Sequence, residues 1–142
     1  ALACDMRVAA SHARIGFIQG KLGITSAWGG GVDLMRLIGP ARALQMMTRM
    51  EMLDPSSATD MGLYNSVADD ASSLDDALEA FIAPMRSQSP HVMRSFKALA
   101  LQLRKENREG MDQLETKNFG FAWAHPDHDS AVDRLLNKTR AT

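Results

Sequence analysis

The chain has 142 residues, with 16 basic and 17 acidic side chains and a formal net charge of −1. That length suits one domain able to bury roughly two thirds of its unfolded surface, and near-neutral charge without a basic block argues against a general nucleic-acid binder. A 45% hydrophobic share with two Trp and ten Met excludes a disordered tail, and no apolar run approaches the ~18 residues of a membrane-spanning helix.

The chain opens on ALACDMRVAA rather than on an initiating Met, shows no signal peptide or targeting segment, and reads as a chain entered in mid-fold. From Asp5 to Ala10, Met6, Val8 and Ala10 fall on one face and Arg7 and Ala9 on the other, a period of two that predicts a strand. Ala13 to Ile18 repeats the pattern, and Ser11-His12 makes a tight connection, so the two segments are expected to pair. Leu22 to Ile24 reads as a third extended piece. Gly29-Gly30-Gly31 opens a helix over Val32–Ile38, which Gly39 and Pro40 close. A second helix runs from Ala41 to Met50. Asp54-Pro55 is an N-cap followed by Pro at the first helical position, predicting a short helix over 55–61 that Gly62 ends. Leu63 to Ala68 reads as a strand.

Beyond Ser73 the pattern turns helical. Leu74, Ala77, Leu78, Phe81, Ile82 and Met85 form an amphipathic stripe, Ser73 can cap it, and Pro84 is expected to kink or end it. Pro90 starts another helix with Val92, Phe96, Leu99 and Leu103 on one face. Further helices are expected from Glu106 to Ala124 and from His128 to Asn137. The class is α+β with few short strands, so something beyond these strands should complete the sheet.

The chemistry-bearing residues give weak local signals. Backbone N–H groups in Trp28-Gly29-Gly30-Gly31 can face an anion or a polarised carbonyl oxygen, or the turn simply starts a helix; it has neither P-loop nor dinucleotide-binding spacing. His125, Asp127, His128 and Asp129 are metal-ligand types, but a polar turn capping the last helix explains them, and no metal is expected. His12 and His91 have no evident partner. The single Cys4 cannot form an internal disulfide, reads as a core residue, and leaves a reducing, cytoplasmic setting as the default. Met46, Met47, Met50 and Met52 read as core. Arg104, Lys105 and Arg108, interleaved with Glu106 and Glu109, read as a solvated helix face.

The order of motifs resembles the enoyl-CoA hydratase/isomerase (crotonase) superfamily: Cys4-Asp5, then Leu22-Gly23-Ile24 through Gly29-Gly30, then Arg36 to Gly39, then Ser57-Ala58 through Gly62-Leu63. The Trp28-Gly29-Gly30 form and the ALACD opening are most similar to the ethylmalonyl-CoA decarboxylase-like branch. The resemblance implies the C-terminal part of a crotonase (ClpP/crotonase-like) fold, with residues 1–70 in the ββα core and 71–142 a helical oligomerisation region. It also implies an acyl-CoA thioester as partner, coenzyme A carried by the substrate with no separate cofactor, and a trimer or hexamer or an N-terminal partner half. Both oxyanion-hole donors and one catalytic carboxylate of the hydratases would precede Ala1, and the second carboxylate aligns with Gln19.

By the same resemblance Gln19 and Trp28 face the acyl group, Gly29 and Gly30 open the helix beside it, and Arg134 and Lys138 meet CoA phosphates. Ser26 stands where many members have Pro. Glu can shuttle a proton where Gln cannot, which favours enolate-stabilised decarboxylation of a CoA thioester over hydration, with this chain alone inactive. A non-catalytic oligomerising or binding module, and an enoyl-CoA hydratase or isomerase, are the alternatives.

Overall fold

The computed structural model describes residues 1–69, 73–106 and 108–140. In chain order the elements are β1 (Val8–Ala9), β2 (Ile15–Gly16), a 3-10 turn (Gln19–Leu22), α1 (Gly30–Ile38), α2 (Pro40–Arg49), β3 (Met52–Leu53), α3 (Pro55–Asp60), β4 (Ser66–Val67), α4 (Leu74–Arg86), α5 (Pro90–Lys105), α6 (Arg108–Trp123) and α7 (Pro126–Arg140). The boundary expected between residues 70 and 71 falls outside the described residues, as does Asn107 at the expected start of the third late helix.

The strands form two separate ladders. β1 runs parallel to β4, with Val8 opposite Ser66 and Ala9 opposite Val67; β2 runs antiparallel to β3, with Ile15 opposite Leu53 and Gly16 opposite Met52. The expected pairing of 5–10 with 13–18 is therefore replaced by two partnerships with later segments. Arg7 accounts for one of them. Its side chain is buried, its Nε donates to Leu63 O at 2.5 Å and its Nη1 to Cys4 O at 2.8 Å, while its main-chain N–H donates to Asn65 Oδ1 at 2.9 Å. A buried guanidinium must have its donors satisfied, and two of the three acceptors, Leu63 O and Asn65 Oδ1, lie on the segment leading into β4. The inward face of β1 is thus Arg7 and Ala9, while Met6 is exposed.

Leu22 to Ile24 is not extended. It closes the 3-10 turn, with Gly23 left-handed at φ 69° and its N–H donating to Gly20 O at 3.1 Å. Cys4 is exposed rather than core, because Arg7 and Ala9 take the inward positions.

The helix boundaries follow local chemistry. Gly39 separates α1 from α2, and Pro40 occupies the first position of α2. Asp54 caps α3 by accepting from Ser57 N at 2.8 Å, and Ser73 Oγ caps α4 by accepting from Asp76 N at 3.1 Å. α4 continues through Pro84 and stops at Arg86. α7 starts at Pro126, two residues before the expected His128.

The core lies where α1, α2 and α3 meet. Leu34, Ile38, Ala43, Met46, Ala58 and Leu63 are buried there, flanked by half-buried Ile15, Phe17, Met35 and Met47. The Met cluster divides: Met46 and Met47 join the core, Met50 ends α2 in the left-handed region at φ 53°, and Met52 is exposed. Leaving the inward face of α2 is what removes the last two from the core. By contrast α4 and α5 carry no buried residue. Phe96, Leu99 and Leu103 stand 63%, 70% and 66% exposed.

Candidate functional site: the Gln19 cavity and the glycine turn

Gln19 opens the 3-10 turn and is half-buried. It lines a cavity of about 240 Å3 together with Phe17, Ile24, Thr25, Ser26 and Met47. The β2 segment supplies one wall, the turn supplies Gln19, and α2 supplies Met47, so three elements converge on one amide. The lining is apolar or neutral-polar.

The glycine turn beside it does bind an anion, and the anion is the protein's own. Glu115 on α6 accepts from Gly29 N at 2.6 Å through Oε2, and from Gly31 N and Ser26 Oγ at 2.7 Å each through Oε1. A carboxylate at these N–H groups satisfies donors that the first turn of a helix leaves open, and it is favoured there by the dipole of α1. Gly29 is left-handed at φ 73°, and a Cβ on it would sit 2.5 Å from Arg108 Nη2; a Cβ on Gly31 would sit 2.7 Å from Glu115 Oε1. At Gly31 the space is shared by Ser26 Oγ and Glu115, and at Gly29 the left-handed backbone favours glycine.

Arg108, Asp112, Glu115 and Phe119 fall on one face of α6 at helical spacing, and this face holds the turn. Arg108 Nη1 donates to Asp33 Oδ1 at 2.7 Å and its Nε to Asp112 Oδ2 at 2.9 Å. The hydrogen bond to Asp33, then that to Asp112, holds the Arg108 guanidinium above its ordinary value. Arg108 is thus a tether into the first turn of α1, not part of a solvated face. Arg104 likewise binds Ala3 O at 2.9 Å and Asp5 at 3.2 Å. Phe119 lies 6.1 Å from the Trp28 ring and 5.6 Å from Trp123, whose ring lies 4.6 Å from His128. His128 is buried, with Nδ1 2.6 Å from Leu22 O, so it docks α7 on the 3-10 turn rather than only capping a helix. Among the described residues no group of three or more His, Cys, Asp or Glu is placed to hold a metal ion.

A family model described as enoyl-CoA hydratase/isomerase matches residues 1–141. The chain belongs to this crotonase family. Its relatives include a "probable enoyl-CoA hydratase" of Bacillus subtilis, 30% identical over 140 residues and covering 99% of this chain and 54% of that protein. The ethylmalonyl-CoA decarboxylase of Gallus gallus is 30% identical over 135 residues, 93% of this chain and 45% of that protein. The solved carnitinyl-CoA hydratase from Mycobacterium avium superposes with a TM-score of 0.86 at 21% identity, covering 96% of this chain and 53% of that one. The chain spans about half the length of the curated relatives it matches. Its α+β class, few short strands followed by helices, is that of the crotonase fold.

Within this family framework the expected site residues separate into groups. Gln19 faces the cavity, and Gly30 adjoins its wall, since a Cβ there would lie 3.5 Å from the Phe17 ring. Gly29 points its N–H at Glu115. Trp28 is left-handed at φ 56°, 96% exposed, and outside the cavity lining. Arg134 and Lys138 lie exposed on α7 and are not among the cavity's lining residues. The sequence reading missed Glu115, Asp33 and Arg108. The one signal available was the shared helical face of Arg108, Asp112, Glu115 and Phe119.

Proposed function

We propose that this chain forms the acyl-pocket part of an acyl-CoA-processing enzyme of decarboxylase (lyase) type, acting on a branched malonyl-type CoA thioester. The observation that supports it is that, among the described residues, the lining of the Gln19 cavity contains no titratable side chain. Adding water to an enoyl thioester needs a group that takes a proton from water and one that delivers a proton to carbon. Decarboxylation makes different demands. The C–C bond to the carboxylate breaks, carbon dioxide leaves, its electron pair becomes a thioester enolate, and a proton then replaces it on carbon. What this needs from the pocket is a dry apolar wall and donors for the developing charge. The Gln19 amide can donate a hydrogen bond to the departing carboxylate without exchanging a proton. The curated relatives called ethylmalonyl-CoA decarboxylase agree with this reading. Those called hydratases keep a hydratase or isomerase as the competing reading.

With no acid or base among the described residues of its cavity, this chain alone binds a thioester and does not turn it over at a useful rate. In the same proposal Trp28, Gly29 and Gly30 border the acyl group, Arg134 and Lys138 meet the CoA phosphates, and coenzyme A comes with the substrate. The bare faces of α4 and α5 bury themselves in a homo-oligomer, a trimer or hexamer, in the cytoplasm; the same faces would serve a purely oligomerising module. Among the described residues no helix is long and apolar enough to cross a membrane.

The test is calorimetric titration of the 142-residue chain with butyryl-CoA, alongside assays of carbon dioxide release from ethylmalonyl-CoA and hydration of crotonyl-CoA. Binding that weakens several-fold in Gln19→Ala, without turnover, is expected. Hydration lost in Gln19→Ala would overturn the decarboxylase reading, and absence of binding would overturn the acyl-pocket reading.

A further inference from the structure

Two cavities share Thr25 and Ser26 as a wall. One is the Gln19 cavity of about 240 Å3, and the other, of about 160 Å3, is lined by apolar Val32, Met35, Met111 and Leu114 together with Glu115 and Asn118. Ser26 is pinned in that wall by its 2.7 Å hydrogen bond to Glu115, and Glu115 is pinned in turn by Gly29 N and Gly31 N. Resting on the acyl-pocket reading above, we propose that the Ser26–Glu115 pair is the partition that limits acyl-chain length, holding the site to short acyl groups. An alkyl tail entering the second cavity would have to push a carboxylate off three part-buried donors and leave them without that acceptor. A short acyl group stops at Ser26 and never meets that cost. Once the partition is removed, the apolar cavity behind it becomes the continuation of the pocket.

Glu115 is here a positioning residue and Ser26 the specificity-determining one. The measurement is the affinity of the full chain for butyryl-, hexanoyl- and octanoyl-CoA, by titration calorimetry, in wild type, Ser26→Gly, Glu115→Ala and Glu115→Gln. Wild type is expected to gain nothing beyond hexanoyl. In Ser26→Gly and Glu115→Ala the octanoyl-to-butyryl affinity ratio rises at least about tenfold, since each newly buried methylene is worth roughly fourfold. Glu115→Gln, which keeps one oxygen for Ser26 Oγ and Gly31 N but sets an NH2 donor against Gly29 N, falls between wild type and Glu115→Ala. Leu114→Trp added to Ser26→Gly fills the second cavity and returns the ratio to its wild-type value. The ratio compares two ligands on one protein, so a loss of folded fraction lowers both affinities and leaves it unmoved.

Butyryl-CoA binding with an unchanged ratio in Ser26→Gly and Glu115→Ala would overturn the partition and leave the acyl-pocket reading standing. Failure of wild type to bind any of the three thioesters would overturn that reading and the partition with it.

Discussion

Arg108→Met isolates the tether between α6 and the glycine turn. The Asp33 side chain is 8% exposed and Arg108 27% exposed, with 2.7 Å between Asp33 Oδ1 and Arg108 Nη1. Breaking a fully buried ion pair costs about 3–5 kcal/mol, and an exposed one is worth about 0–1 kcal/mol. Solvent reaches the Arg108 end here, and the dipole of α1 offsets up to about 1 kcal/mol of the charge left on Asp33. The variant is therefore expected to lose about 2 kcal/mol, between these two limits. The partner Asp112 is 41% exposed and adds little. Asp33→Asn and the double variant complete a cycle whose coupling energy should be about 1.5 kcal/mol. Urea unfolding at matched protein concentration measures it. Arg108 is held above its ordinary value in the folded state. Its contribution is fully present below the unfolded value and fades only as pH rises through the folded one, so the coupling should be flat across neutral pH. A coupling below about 0.5 kcal/mol would refute the tether.

Three further outcomes follow from particular contacts. Leu34 is fully buried in the core, so Leu34→Ala should cost about 2–5 kcal/mol in denaturant unfolding; a loss under about 1 kcal/mol would mean the cavity collapses. Gly23 is left-handed, and a Cβ there would lie 2.9 Å from Asp127 O and 3.0 Å from His128 Cα. Gly23→Ala should lower stability by about 1–3 kcal/mol and shift the His128 ring resonances, and unchanged resonances would count against the docking of α7 on the 3-10 turn. The Asp54 carboxyl is held below the usual carboxylate range, first by the Ser57 backbone N–H. The stabilisation it gives is present above the unfolded value and is lost as pH falls through the depressed folded value. Asp54→Asn should thus shift the acid limb of the stability curve, and coincident curves would refute the cap.

Punctuation was what the sequence carried most clearly. Gly39-Pro40, Asp54-Pro55 and Ser73 each set an element boundary through chemistry within four residues, and each boundary stands where that chemistry puts it. Strand partnership was not local. A two-residue strand such as Val8–Ala9 has too little periodicity to name its partner, and the choice of Ser66–Val67 is bound up with Arg7, whose acceptors lie at Cys4, Leu63 and Asn65. The candidate site divides in the same way. Gln19 and the glycines were legible because their motifs are contiguous. Glu115 was not, since nothing near it in sequence distinguishes it from Glu106 or Glu109, and its role exists only once α6 crosses the N-terminus of α1. Trp28 was placed beside the acyl group by analogy alone, and its left-handed backbone, high exposure and ring contact with Phe119 had no local signal in the sequence.

The Arg7 clasp makes mutational tolerance lopsided. Among the described residues the acceptors of its guanidinium are main-chain carbonyls, those of Cys4 and Leu63, and every amino acid presents the same C=O. Changes at Cys4 can alter the exposed side chain without touching the clasp, and those at Leu63 are judged by the core alone. No compensating change on the acceptor side can rescue loss of the guanidinium, because there is no side chain there to vary. A saturation library should therefore find position 7 nearly closed, position 4 broadly open, and no second-site suppressor of Arg7 loss at either acceptor.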